Sequence, residues 1–202
     1  SILLLFAACS TSTGPDYNHS LCANTPNTIC TSAGTGNAGF NGDGRPILAS
    51  TLYWPIDLTI TPTGTTYILD WNNHRVRVVT NGRVSTLIGT GELGAAPAGP
   101  AREIGLNHPT HISFALQGRL VLSALHNSMI LRYDFATDHI EPICGNGERA
   151  YGGDDGPAEL ALINLPSSTA FDPAGRMYIS DQENQRIRVV DLDGHHRNPG
   201  LG

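Results

Sequence analysis

The sequence predicts an all-β chain: a β-propeller of four-stranded antiparallel blades, of which about three are present. Three observations predict it. The stretch 34–79 occurs again at 145–190 without a gap, with Gly34/Gly145, Gly42/Gly153, Asp43/Asp154, Pro55/Pro166, Tyr67/Tyr178, Asp70/Asp181, Asn73/Asn184 and Arg75/Arg186 in register. A degraded copy lies between them, so that Pro55, Pro109 and Pro166 follow one another at 54 and 57 residues. Self-similarity at such a period marks a repeat architecture. Each copy also holds four short strand-like runs and no run with helical periodicity, the pattern of a propeller blade.

In the first copy, 56–61 follows Pro55 and alternates, and 65–70 follows Gly64. The run 75–80 reads Arg-Val-Arg-Val, and 84–89 follows the hairpin signal Asn81-Gly82. The blades then span about 55–89, 109–144 and 166–194, within a repeat region of 28–194. Residues 28–33 read as the outer strand of a preceding blade, and 195–202 as a tail cut short of a fourth strand. The 23 Gly and 13 Pro of the 202 residues suit short strands joined by tight turns. A net charge of −6 argues against a nucleic-acid surface, which needs clustered Lys and Arg.

Residues 1–9 form an apolar run ending in small residues. It resembles the tail of a bacterial lipoprotein signal peptide, with Phe6-Ala7-Ala8-Cys9 as lipobox and Phe6 in place of the usual Leu. The run is too short to span a bilayer, and 10–27 reads as a polar linker. The resemblance implies lipidation at Cys9, contact with the membrane only through that anchor, and an oxidising envelope compartment. The competing reading is a buried first strand ending in an ordinary Cys. Cys22 and Cys30 can close a small loop, although sequence alone does not fix connectivity, and Cys144 reads as a buried thiol.

The pattern G-x-G-x-x-G-F-N-G-D-G at 34–44, then Pro55, then Y-I-x-D-x-x-N-x-R-V-R-V-V at 67–79, resembles the NHL repeat, as does 145–190. The middle copy departs from it, with Ala124 for Asp, Met129 for Arg and no Gly-Asp-Gly element in 95–99. The resemblance implies a six-bladed ring, of which this chain holds half. Two chains closing one ring as a homodimer, or a piece of a longer chain, are the arrangements that remove open edges.

Several motifs invite sharper chemistry. Gly34-Thr-Gly36-Asn-Ala-Gly39 spells a dinucleotide fingerprint, but no helix N-terminus follows to hold a pyrophosphate, so it reads as a glycine loop with positive φ. Asp43, Asp154 and Asp155 lack calcium-loop spacing and read as turn acids capping backbone N–H groups. Asp70, Asn73 and Arg75 recur as Asp181, Asn184 and Arg186, as a turn device should and a unique active site need not. In this reading the Asp accepts from the turn, the Asn takes a left-handed backbone and Arg75 or Arg186 pairs with the Asp. The alternating pairs Arg75/Arg77 and Arg186/Arg188 read as a solvated face.

Two residues after each strand-opening proline stand Asp57, His111 and Ser168. On the innermost strands these approach the central channel near one mouth. They are polar and differ between blades, so they are the candidate ligand-binding residues; Asp with His could also hold a metal or do acid–base work. The alternative is that wet channel positions tolerate any polar residue. No catalytic residue, metal or cofactor is assigned. The function read is a non-catalytic scaffold at the bacterial cell envelope, binding a protein, peptide or glycan and no nucleic acid. The alternative is a metal-dependent hydrolase or lyase, implied by likeness to lactonase-type propellers, with its site at the channel. A sensor or docking module of a larger envelope protein is a third class.

Overall fold

The structure, a computed structural model, describes residues 26–115 and 118–191. The first blade contains β1 (Arg45–Pro46), β2 (Pro55–Ile60), β3 (Thr66–Asp70), β4 (Arg75–Thr80) and β5 (Arg83–Ile88). The second contains β6 (Gly99–Pro100), β7 (Pro109–Phe114), β8 (Leu120–Ala124), β9 (Met129–Asp134) and β10 (His139–Cys144). The third contains β11 (Pro166–Phe171), β12 (Met177–Asp181) and β13 (Arg186–Val190). Pairing is antiparallel throughout, and the only helices among the described residues are single 3-10 turns. The chain is therefore all-β, built of propeller blades.

Each blade is a meander from inner to outer strand, because short strands separated by turn residues can only fold back on their neighbours. Asn81 and Gly82 take φ of 48° and 74°, as the two-residue hairpin between β4 and β5 requires. The order β1-β5-β4-β3-β2 adds a feature the repeat pattern did not reveal. The chain enters a blade along its outer edge, where Arg45 pairs with Val84 and Pro46 with Arg83, and only then crosses to the inner strand. β6 does the same beside β10. Proline suits an edge because it has no N–H to leave unpaired.

Every inner strand carries a bulge. Pro55 pairs with Asp70 and Asp57 with Leu69, leaving Ile56 extra; Thr110 and Ser167 are extra in the same way. The extra residue turns the next side chain toward the adjoining blade.

Two apolar clusters fill the gaps between blades. Leu69, Val76 and Ile88 of the first blade pack on Ile112, Leu122 and Leu131 of the second. Val121, Ile130 and Cys144 pack on Ile163, Ile179 and Val190 of the third. Stacked sheets of this kind bury one face of each neighbour. The free face of the first blade leaves Ile56, Leu58 and Ile60 about half exposed.

Residues 28–33 form no strand, contrary to expectation: no described strand lies beside them to supply a ladder. The glycine loop is as expected, with φ of 94°, 83° and 135° at Gly34, Gly36 and Gly39, and only a three-residue 3-10 turn, Ile47–Ala49, after it. The segment 1–9 with Cys9, most of the linker 10–27 with Cys22, and the tail 195–202 lie outside the described residues.

Candidate functional site

The turn between the second and third strands follows one pattern in the first and third blades. Asp70 Oδ1 accepts from the Tyr53 N–H at 2.7 Å, and Asp181 Oδ1 from the Asn164 N–H at 2.7 Å. Asn73 Nδ2 donates to Asp70 Oδ2 and to the Gly39 carbonyl, both at 2.8 Å. Asn184 repeats this with Asp181 and Ala150 at 2.8 and 2.9 Å. The left-handed residue is not the Asn but the one after it: His74, Ser128 and Gln185, with φ of 50°, 52° and 58°.

The arginine partner differs from the one expected. Arg75 stands directly opposite Asp70 in the ladder, yet it is Arg77, on the diagonal, whose Nη1 donates to Asp70 Oδ2 at 3.1 Å. Arg188, not Arg186, reaches Asp181 at 3.1 Å. Diagonal neighbours lie within reach of long side chains. Arg77 and Arg188 are therefore no solvated face: their side chains are 0% and 2% exposed. The second carboxylate of each clamp comes from the entering loop. Asp43 Oδ1 meets Arg77 Nη2 at 3.2 Å, and Asp154 Oδ1 meets Arg188 Nη2 at 2.5 Å. These two aspartates thus hold a buried guanidinium, and Asp43 also accepts from the Thr86 N–H at 2.7 Å. Phe40 and Tyr151 lie over the paired arginines, and Arg75 and Arg186 donate to the carbonyls of Asn73 and Asn184. A buried charge needs such partners on every side.

The middle blade does the same work without charge. Leu131 occupies the place of Arg77 and joins Ala96, Ala124 and Leu106 in the apolar cluster. Asn127 Oδ1 takes over the acceptor role, receiving the Asn107 N–H at 3.0 Å, while its Nδ2 donates to the Gly94 carbonyl at 2.7 Å.

Of the three channel positions, Asp57 and His111 meet and Ser168 does not join them. His111 Nδ1 lies 2.8 Å from Asp57 Oδ2, and that same oxygen accepts the Ile112 N–H at 2.9 Å. His111 Nε2 lies 2.9 Å from the Thr169 carbonyl. A carbonyl only accepts, so Nε2 carries the proton there, and the Nδ1–Asp57 contact needs a second proton held by ring or carboxylate. The side chains thus link first blade to second and second to third. Ser168 turns to Ser180 Oγ at 3.0 Å. Among the described residues, no three His, Cys, Asp or Glu side chains are grouped to hold a metal ion.

Sequence reading missed an exposed aromatic feature of this mouth. Inner strands begin, and second strands end, at the same edge of each blade. The residues before the opening prolines therefore meet the turns 71–74 and 125–127. There Trp54 stacks on Trp71 with centroids 5.6 Å apart at 27°, and Tyr53 meets Trp54 edge-on at 5.6 Å. Trp71 abuts His108 at 4.4 Å, and His108 meets His74 and His126 at 4.6 and 4.9 Å. Trp54 is 61% exposed. Burial holds all three imidazoles below the ordinary histidine value, with Arg75 adding to it at His74 and Arg149 at His126. The available signal was the residue before each opening proline, Trp54, His108 and Leu165, which the repeat comparison passed over in favour of the positions after it.

At the opposite edge, a cleft of about 550 Å³ lies between the second and third blades, with Val121, Phe171 and Met177 beside the ion-paired Arg132 and Glu141. Cys144 is a free, buried thiol whose pKa burial pushes up to about 12. Cys30 is disulfide-bonded. Among the described residues, no helix is long and apolar enough to cross a membrane.

No family model matches the chain. Human teneurin-1 is 26% identical over 182 residues, covering 77% of this chain and 6% of teneurin-1. The chloroplastic protein SUPPRESSOR OF QUENCHING 1 of Arabidopsis thaliana is 28% identical over 95 residues, 47% of this chain and 9% of that protein. The chain thus spans less than a tenth of the length of either relative. An auxiliary nutrient binding protein from Bacteroides ovatus ATCC 8483 superimposes with a TM-score of 0.57 at 22% identity, over 65% of this chain and 36% of that one. The blades are those of a β-propeller, a fold that by itself does not fix an activity.

Proposed function

We propose that this chain is part of a non-catalytic NHL-repeat propeller scaffold of the bacterial cell envelope, lipid-anchored through Cys9, which binds a protein, peptide or glycan on the face where the inner strands begin. The observation that carries the reading is a contrast within that face. The polar pair that could have served catalysis, Asp57 and His111, spends its hydrogen bonds joining blades. Beside it an aromatic shelf is left open to solvent, with Trp54 61% exposed. An exposed aromatic cluster at the mouth of a fold is a binding surface before it is anything else. The similarity in fold to an auxiliary nutrient binding protein from Bacteroides ovatus is in keeping with a binding role.

The test sets the two functions against each other. The full chain is assayed for lactone hydrolysis with added calcium, manganese or zinc, as wild type and as His111→Ala. In parallel, thermal shift is measured with glycans and peptides. The expected result is ligand-dependent stabilisation and no metal-dependent turnover. Turnover that disappears in His111→Ala would establish the hydrolase instead.

A further inference from the structure

We propose that the shelf formed by Trp54, Trp71 and His108 is a binding site for a neutral carbohydrate. The open face of the Trp54 indole stacks on the C–H face of a sugar ring, and the amide and imidazoles beside it bond the ring's hydroxyls. The proposal rests on the binding-scaffold reading and names the ligand class of that face.

The first argument is that an exposed ring has been made rigid. Trp54 is held from beneath by Trp71 and from the side by Tyr53, and it is followed at once by Pro55 of β2. Its backbone sits at φ of 52°, in the left-handed region that costs a bulky residue energy. His108 and Leu165, at the same place in the other blades, take φ of 49° and 51°. The fold therefore presents this side chain at the mouth in every blade, and nothing in the scaffold requires it to be tryptophan. A flat ring fixed in advance loses little conformational entropy when a partner covers it.

The second argument is the chemistry around the ring. Asn107, His108 and His126 form a chain of contacts, 2.8 Å from His108 Nδ1 to Asn107 Oδ1 and 3.1 Å to His126 Nδ1. Neutral imidazoles and amides each offer a donor and an acceptor, as a sugar hydroxyl does. An anion would need unengaged guanidinium groups. Here Arg75 donates to the carbonyls of Asn73 and Thr90, and Arg149 to that of His126. A cation cage would need walls, whereas Trp54 and Trp71 stack on each other and leave one open face. A protein partner would need roughly 800 Å² on this side, far more than a few residues provide.

The experiment uses the fact that the two tryptophans of the chain, Trp54 and Trp71, both lie in the shelf, so tryptophan emission reports on this place alone. The full chain is titrated with cellohexaose, xylohexaose and maltohexaose, and separately with a proline-rich peptide. At least one neutral hexasaccharide is expected to change the emission saturably. Trp54→Ala should weaken that binding by about tenfold or more, Trp54→Phe should restore part of it, and circular dichroism of both should match wild type. No emission change with any of the three sugars overturns the proposal, as does undiminished affinity in Trp54→Ala. A Trp54-dependent response to the peptide alone overturns the carbohydrate class while leaving the scaffold reading intact. A sugar that raises the melting temperature equally in wild type and Trp54→Ala overturns the assignment to the shelf, since its site is then elsewhere.

Discussion

His108 sits where three imidazoles meet, and burial favours the neutral form of each. The charged groups that act on the cluster are Arg75 and Glu92 at His74, and Arg149 at His126. The folded-state pKa values lie below the ordinary value of about 6.5, so the unfolded chain binds more protons as pH falls through that value. Stability is then full above about pH 6.5 and is lost progressively below it, down to the folded pKa values. The melting temperature of wild type should fall between neutral and mildly acid pH, before the carboxylates titrate. In His108→Asn the same fall should be shallower, because one ring and its repulsion with two others are gone. Parallel profiles for the two proteins would show that the cluster carries no linkage.

At the scale of the element, the entering loop and the turn between second and third strands are fastened by a buried arginine in the first and third blades and by leucine in the middle one. Removing one carboxylate leaves the buried guanidinium with only the other. Asp181→Ala should cost about 1–3 kcal/mol, since Arg188 keeps Asp154 while the Asn164 N–H loses its acceptor. Adding Arg188→Leu reproduces the Ala124/Leu131 arrangement of the middle blade, and the double variant should be more stable than Asp181→Ala alone. Urea denaturation of the four proteins of the cycle measures the coupling, expected at roughly 1–3 kcal/mol. Additive losses would mean that the pair observed at 3.1 Å contributes nothing to folding.

For the whole molecule, the apolar core lies between blades, since each sheet buries its apolar residues on the next. Glycine is needed where one blade's outer strand hands over to the next. A side chain at Gly89 would meet the His74 carbonyl oxygen at 2.4 Å, and one at Gly145 the Ser128 carbonyl oxygen at 2.4 Å. The face of the first blade bearing Leu58 and Ile60 has no described blade against it, and these two are 56% and 57% exposed. Contiguous exposed apolar surface drives association. The chain in solution is expected to self-associate, with two copies apposing open faces as one closed outcome. Leu58→Asn with Ile60→Asn should shift its light-scattering mass toward the monomer while the β-sheet circular dichroism persists. A wild-type chain that is already a monodisperse monomer would refute the argument.

The sequence by itself determined what depends on local chemistry and on repetition. Glycines, prolines and the Asn81-Gly82 turn act on their own dihedral angles, so β2 to β5 of the first blade lie within one residue of their expected places. The repeat set the number of blades, because a unit recurring in register recurs in space. What only the tertiary structure decided depends on which faces meet. Alternation put Arg75 and Arg77 on one side of β4, but whether that side is wet was settled by the entering loop, which lies over it and brings Asp43. The bulge after each opening proline turned Asp57 and His111 into contacts between blades, and no one-dimensional pattern shows to which neighbour a bulged strand points. Trp54 and Trp71 meet within the first blade, but His108 reached Trp71 only when the second blade packed beside the first. Local rules therefore specified the blades, and packing between blades specified the mouth at which a ligand would be held.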